Sequence, residues 1–403
     1  MKRPYLKILL LLVFILLWQG LHAQEVQSTD EFQKLEAEVQ DLKDASKPGR
    51  SRFLLRGYAH SGLQLTQDEF SFVGGSFNPL FIYKQSDRLL FESEVEFELE
   101  DGVTVIGLEY ANMSYLLSKT LTLRAGKILV PFGIFVPNLH PAWVNKFATA
   151  PLGVGHDGIV PSNDIGLELR GGSYLGNLKI NYSFYAVNGS QLNDGSEDPE
   201  EAGILHHAVF PDNNRGKTIG GRLGVFPFSN SSVELGISGM YGKVGTRDTP
   251  LEDINSLHYA FDFSYVQNVP GLSSVIDLKA QYSALMLDQA QYPDPEDTSK
   301  MVSFDNNSMA WFAQFSIRPA LVENKFVRRL EFAARYSALK TPESAAWEAD
   351  ETQLDLGINY WVDWRTVLKV GYRISTTAAE EHAEPGHDEI TGNAFFVHWA
   401  IGF

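Results

Sequence analysis

From residue 92 to residue 98 a glutamate recurs at every second position: Glu92, Glu94, Glu96 and Glu98. A period of two belongs to an extended strand, whose alternate side chains share one face. The intervening file is apolar, with Leu89, Phe91, Val95, Phe97 and Leu99. Four carboxylates on one face can concentrate cations, or pair with Arg52, Arg56 and Lys84 on adjacent strands; pairing is the expectation. Basic residues at Arg56, Arg124, Lys127, Arg170, Arg222, Arg335 and Arg373 are assigned to the same polar face, and Lys146, His156 and Asp157 to a long connection. Charges on a lipid-facing strand surface cost about 2–4 kcal/mol at mid-membrane, whereas a water-filled interior tolerates them. The chemistry these residues suggest is the filtering of ions.

Other chemistry is poorly represented. The chain has no cysteine, which excludes disulfide scaffolds, Cys-ligated metals and Cys nucleophiles. There is no GxSxG element and no P-loop. A lipid-cleaving barrel would need a serine beside a histidine on its outer face, and the lipid-facing positions carry no such pair. His206-His207, and His382 and His387 among Glu380, Glu381 and Glu384, read as loop surface rather than a metal site. Asp294, Glu296 and Asp297 could bridge calcium to lipopolysaccharide. No cofactor and no metal are expected.

The 403 residues include 33 Lys plus Arg and 50 Asp plus Glu, a net charge of −17, with 44% apolar and 21% charged residues. That supports a folded chain, and the acidic balance argues against a nucleic-acid partner. Residues 1–23 have Lys2, Arg3 and Lys7 before an apolar run ending near Trp18, with Ala23 at a cleavage position. This is the pattern of a secretory signal peptide. Removing three cations leaves 30 − 50 = −20. Residues 24–49 hold a short periplasmic helix and linker, with Phe32, Leu35, Val39 and Leu42 spaced as a coiled-coil seam. Two heptads are too few to stand alone; the segment either joins copies from neighbouring subunits or folds against the barrel rim.

From residue 50 to residue 403 the alternation predicts strands at 52–66, 76–84, 88–100, 103–116, 119–130, 164–172, 176–188, 216–226, 231–244, 256–268, 273–287, 306–319, 327–340, 351–362, 365–377 and 391–403. Many approach 10–14 residues, long for soluble sheets and sufficient for a tilted membrane strand. With Arg52 on the periplasmic side, every second connection is a brief turn. The opposite set contains the long loops 131–163, 189–215, 245–255, 288–305, 341–350 and 378–390; Asp101-Gly102 is the one tight turn there. The fold class expected is all-β, a transmembrane antiparallel β-barrel of about 16 strands. Lipid cannot satisfy an open sheet edge, so the last strand must close on the first, and 16 strands leave an aqueous channel.

The segment LTLRAGKILVPFGIF (121–135), followed by PNLHPAWVNKF, resembles the outer-membrane porins of the phosphate-selective O/P family, through Arg124, Gly126, Lys127, Pro131, Phe132 and Gly133. GLELRGG (166–172), LEFAARYS (330–337) and the terminal Phe403 look similar too. The resemblance implies a 16-stranded homotrimeric porin whose third outer loop narrows the channel. Loop 131–163 holds that position, and Phe132, Phe135 and Trp143 suit packing against a wall. A phosphate-selective pore needs a ladder of basic residues, whereas this chain is acidic with scattered bases; the porin fold is carried over and the phosphate specificity is not. The functional expectation is passive diffusion of small ions and hydrophilic solutes in the outer membrane of a Gram-negative bacterium. The alternative is a substrate-specific channel or surface receptor without general conductance. Expected partners are membrane lipid and lipopolysaccharide, two further copies of the chain, and the outer-membrane assembly machinery, with Phe403 as the assembly signal.

Overall fold

A computed structural model describes residues 52–67, 70–100, 103–155, 158–207, 211–377 and 392–403, the side chains of Glu100 and Thr377 excepted. The segments expected as signal peptide (1–23) and short helix (24–49), and Asp101-Gly102, His156, Asp157, His382 and His387, lie outside the described residues. Contacts divide the chain at Leu54/Leu55; the second unit, Leu55–Phe403, holds the barrel, and Arg52–Leu54 are the described part of the first.

Sixteen strands form a closed barrel: β1 (Phe53–Leu65), β2 (Phe70–Lys84), β3 (Leu89–Glu100), β4 (Val103–Leu116), β5 (Leu121–Leu129), β6 (Asn163–Leu175), β7 (Leu178–Val187), β8 (Thr218–Phe226), β9 (Val233–Lys243), β10 (Asn255–Val269), β11 (Ser274–Leu287), β12 (Asn307–Arg318), β13 (Leu330–Lys340), β14 (Asp350–Trp361), β15 (Thr366–Thr377) and β16 (Ala394–Gly402). Each strand pairs with its neighbours in sequence, and β16 closes on β1 from Tyr58↔Gly402 to Leu65↔Phe395. Closure gives every strand two neighbours, the condition a sheet must meet in lipid.

β2 starts at Phe70, six residues before the start read from the sequence. Gly74 and Gly75, at φ 66° and 138°, lie within the strand. Two outer loops also carry small strand pairs, Gln191–Leu192 with Leu205–His206 and Tyr292–Pro293 with Met301–Val302.

The outward file is apolar over most of the circumference, as in Ile237, Phe261, Phe315, Phe332 and Leu356, all exposed to the surroundings of the barrel. The inward file holds the buried charges, among them Glu168, Arg222, Asp262, Arg335 and Asp355. Beyond β16, Phe403 exchanges two backbone hydrogen bonds with Gly57 (2.9 and 3.1 Å) and stacks on Phe77 of β2, ring centroids 5.8 Å apart. A Cβ at Gly57 would lie 2.7 Å from the Phe403 ring, so the missing side chain makes room for that ring.

Candidate pore constriction

Between β5 and β6 the chain turns into the barrel. The loop is tied at its mouth by Val130 N–H donating to the Ser162 carbonyl, 2.9 Å. Pro131 and Gly133, the latter at φ 64°, turn the chain into a short helix, α1 (Phe135–Leu139). From there the loop runs along the inner wall from β9 to β16. Gly133 N–H donates to Ser238 Oγ of β9 (3.0 Å), and the N–H groups of Ile134 and Phe135 share Gln281 Oε1 of β11 (2.7 and 3.1 Å). Phe132 meets the His258 ring of β10 edge-on and Phe135 meets Phe312 of β12. Further on, Lys146 reaches Glu331 Oε1 of β13 at 2.7 Å, and Asn359 of β14 donates to the Lys146 carbonyl at 3.0 Å. Lys369 of β15 donates to the carbonyls of Ala142 (2.6 Å) and Phe147 (2.9 Å). Trp143 lies against Gly402 of β16, where a Cβ would come within 3.2 Å of the indole.

Arg335 and Arg373 were expected to line the pore, and they lie elsewhere. Both converge on Asp355, at 2.7 and 3.0 Å, and Arg335 also donates to the Thr149 and Ala150 carbonyls of the loop. The Arg335 side chain is 0% exposed. A guanidinium has five donors in a fixed fork, which suits it to hold a carboxylate and loop carbonyls together. These arginines, with Lys146 and Lys369, pin the loop down.

The wall from β1 to β8 keeps the ionic face that the strand phase assigned to it. Arg124 bridges Glu92 (3.1 Å) and Glu168 (3.2 Å), and Ser183 donates to the other Glu168 oxygen at 2.9 Å. Arg222 bridges Asp262 (2.6 Å) and Glu234 (3.2 Å). Arg170 stands 3.9 Å from Glu168 with its side chain 49% exposed, and Arg56 also faces the cavity. Glu92 and Glu96 have partners outside the expected set. Glu92 pairs with Arg124, Glu94 is buried with one carboxylate oxygen unpartnered, Glu96 accepts from Asn78 at 2.8 Å, and Glu98 is also engaged. Lys84 instead meets Asp87 in the turn below, at 3.0 Å. A cavity of about 650 Å³ lies between this wall and the loop.

Lys127 does not belong with these residues. It is in register with Ala111 and Ile165, in the outward file that carries Met113 and Leu167. Arg124 and Lys127 are three residues apart, an odd spacing that places them on opposite faces of one strand. The clamp residues Gln281, Ser238, Asn359 and Lys369 were not singled out from sequence as loop anchors; their only signal was inward phase. Among the described residues no cluster of three or more His, Cys, Asp or Glu could hold a metal.

No family model and no curated protein matches the sequence. Solved structures do match in fold. The chain is similar to an anion-selective porin from Comamonas acidovorans (TM-score 0.55, 12% identity, 87% of this chain and 99% of that one). It is also similar to OmpF of Salmonella typhi, solved with daunomycin (0.54, 14%, 87% and 97%), and to the outer-membrane channel DcaP of Acinetobacter baumannii (0.54, 11%, 87% and 97%). At these identities the likeness is one of fold: a closed 16-stranded antiparallel barrel of the outer-membrane porin type.

Proposed function

We propose that the chain is an outer-membrane porin of a Gram-negative bacterium, passing small ions and hydrophilic solutes by diffusion, with a preference for anions. The observation that carries this reading is the loop laid along half of the inner wall, which leaves a charged cavity of about 650 Å³ against the other half. Around that cavity stand Arg56, Arg124, Arg170, Arg222 and Arg365 against Glu92, Glu94, Glu168 and Glu234, five cations to four anions. The most exposed of the paired cations is Arg170, at 49% side-chain exposure beside Glu168 at 1%, whereas Arg124 (15%) and Arg222 (8%) are more covered than Glu92 (22%) and Glu234 (14%); the preference for anions rests on Arg170. Selectivity follows the charges that ions meet at the narrowest point. Alternating signs are not a basic ladder, so the proposal stops at anions and does not extend to phosphate.

Signal-peptide cleavage after residue 23, a coiled-coil contribution from 24–49, homotrimer formation and a constriction role for loop 131–163 belong to the same proposal. Planar-bilayer recording tests it. Conductance steps that scale with salt, and a reversal potential of anion sign in a salt gradient, are expected; a silent bilayer would overturn the porin reading. A second reading has one observation in its favour. The outer loops interlock, Trp347 Nε1 donating to the Ala202 carbonyl (2.9 Å) and Asn306 to the Gly203 carbonyl (2.8 Å). Such a roof suits a solute-specific channel, whose salt conductance would be blocked by its solute.

A further inference from the structure

We propose that the clamp beneath the loop holds a small inorganic anion, of the size of chloride, in a closed cavity between the loop and β14–β16. The proposal needs the loop and the wall, and it goes beyond the conducting function rather than resting on it. Charge is the first observation. Four cations meet in one patch: Lys146 of the loop, Arg335 of β13, and Lys369 and Arg373 of β15. Two carboxylates answer them. Glu331 takes Lys146, and Asp355 takes both guanidiniums. Lys369 spends its ammonium on the carbonyls of Ala142 and Phe147 and, among the described residues, makes no ion pair. Guanidiniums keep their protons in proteins, so even a neutral Lys369 leaves the patch with one positive charge too many. Arg335, Lys369 and Arg373 are all buried. A charge held away from water without its counter-charge is costly, and a bound anion removes that cost.

The second observation is space. A cavity of about 10 Å³ lies at this patch, walled by Thr149, Asn359, Lys369, Arg373, Phe396 and His398. That is room for about one water-sized particle. A monatomic anion enters with a slight shift of the side chains, whereas phosphate and carboxylates are too large.

The third is the supply of donors. An ammonium has three N–H groups and a guanidinium five. Lys369 uses two of its own on the loop carbonyls, and Arg373 turns Nε to Asp355 and Nη2 to Thr149. Beside them, Arg335 Nη1 and His398 Nδ1 are buried with no partner. With its proton on Nδ1, His398 donates to the anion while its Nε2 accepts from His60 Nδ1, 3.1 Å away. Asp355 also borders the cavity, but its oxygens are taken by Arg335, Arg373 and Gln353. A water in the same place satisfies donors and leaves the excess charge, so charge selects the anion.

Thermal unfolding of the full chain in phospholipid vesicles tests the proposal, with chloride exchanged for gluconate at fixed ionic strength. Each tenfold rise in chloride should raise the unfolding temperature by about 2–4 °C. In crystals grown in bromide, the anomalous signal should lie between Lys369, Arg373 and His398. Lys369→Met should need about tenfold more chloride for the same shift; should that variant fail to assemble, the bromide position in the parent decides. Equal stabilisation by gluconate and chloride would mean ionic screening alone and overturn the proposal. So would bromide found only on open-wall arginines such as Arg170, or Lys369→Met responding to chloride as the parent does. Conductance is a separate outcome: bromide in the cavity of a silent barrel sinks the porin function alone, and a conducting barrel with an empty cavity sinks the anion site alone.

Discussion

The two halves of the inner wall are built from the same kind of residue and put it to opposite use. On β1–β8, Arg124, Arg170 and Arg222 meet carboxylates across a surface that still borders the cavity. On β9–β16, Arg335, Arg373 and Lys369 are shut away beneath the loop and spend their donors on its carbonyls and on Asp355. An inward-facing cation is therefore a filter or a rivet, according to whether the loop lies over it. Strand phase does not distinguish the two.

The largest expected effect belongs to the covered wall. Asp355→Ala leaves two buried guanidiniums without their carboxylate, a loss of about 3–5 kcal/mol for broken buried pairs. Denaturant unfolding should show that loss, and single-channel recording should show larger, noisier steps as the loop comes away. Unchanged conductance would break the comparison. The seam joining the two walls should come next. Deleting Phe403 removes one ring from the Phe77 stack, worth about 1.5–3 kcal/mol at most. Assembly in the outer membrane should nevertheless fall steeply, since before closure β16 is an open edge for assembly machinery to grip. A fall in yield no greater than the fall in stability would reduce Phe403 to ordinary packing.

Acid should act on the outer loops above the covered wall. His207, in an outer loop, is buried between Ser190, which it meets at 2.6 Å, and the His258 ring, and burial pushes it down to about 4. His206 adjoins it and adds repulsion rather than an anion. The folded loop keeps His207 neutral while an opened loop protonates near the ordinary value of about 6.5. Loop packing is thus fully stable above that pH and weakens as pH falls from 6.5 towards 4. Limited proteolysis within 189–207 should accelerate over that window in the parent and not in His207→Gln.

On the open wall, Arg170→Gln should change barrel stability by no more than about 0.5 kcal/mol, since its ion pair is long and half-exposed. It should still move the reversal potential towards cations. Lys127→Met is the smallest effect expected on permeation, namely none. A shifted permeability ratio would return Lys127 to the pore.

The barrel was legible because period two is a strong signal when repeated sixteen times with short and long connections in turn. Phase correctly separated Glu92 from Phe91 and Arg335 from Tyr336. It failed at Lys127, where a motif grouped two residues that parity divides. It was silent on the clamp. Nothing local marks Gln281 as the acceptor for two N–H groups 146 and 147 residues away, because the loop's path is set by contacts made only after the wall exists. The partners of Glu92 and Glu96 were not legible for a similar reason: Arg124 lies two strands away on β5, and Asn78 carries no charge.

The path of the loop also has a consequence for the order in which the molecule can form. Strand follows strand around the barrel, so each pairing but one joins neighbours in sequence, and local pairings close quickly. Besides the interlocking of the outer loops, two events are non-local: β1 meeting β16, where His60 and His398 touch across 338 residues, and the loop meeting β9–β16, where Lys369 reaches back 227 residues to Ala142. The second needs donors from strands made long after the loop itself. The nascent barrel must therefore pass through a stage with a wide bore and an undocked loop, and the passage narrows last.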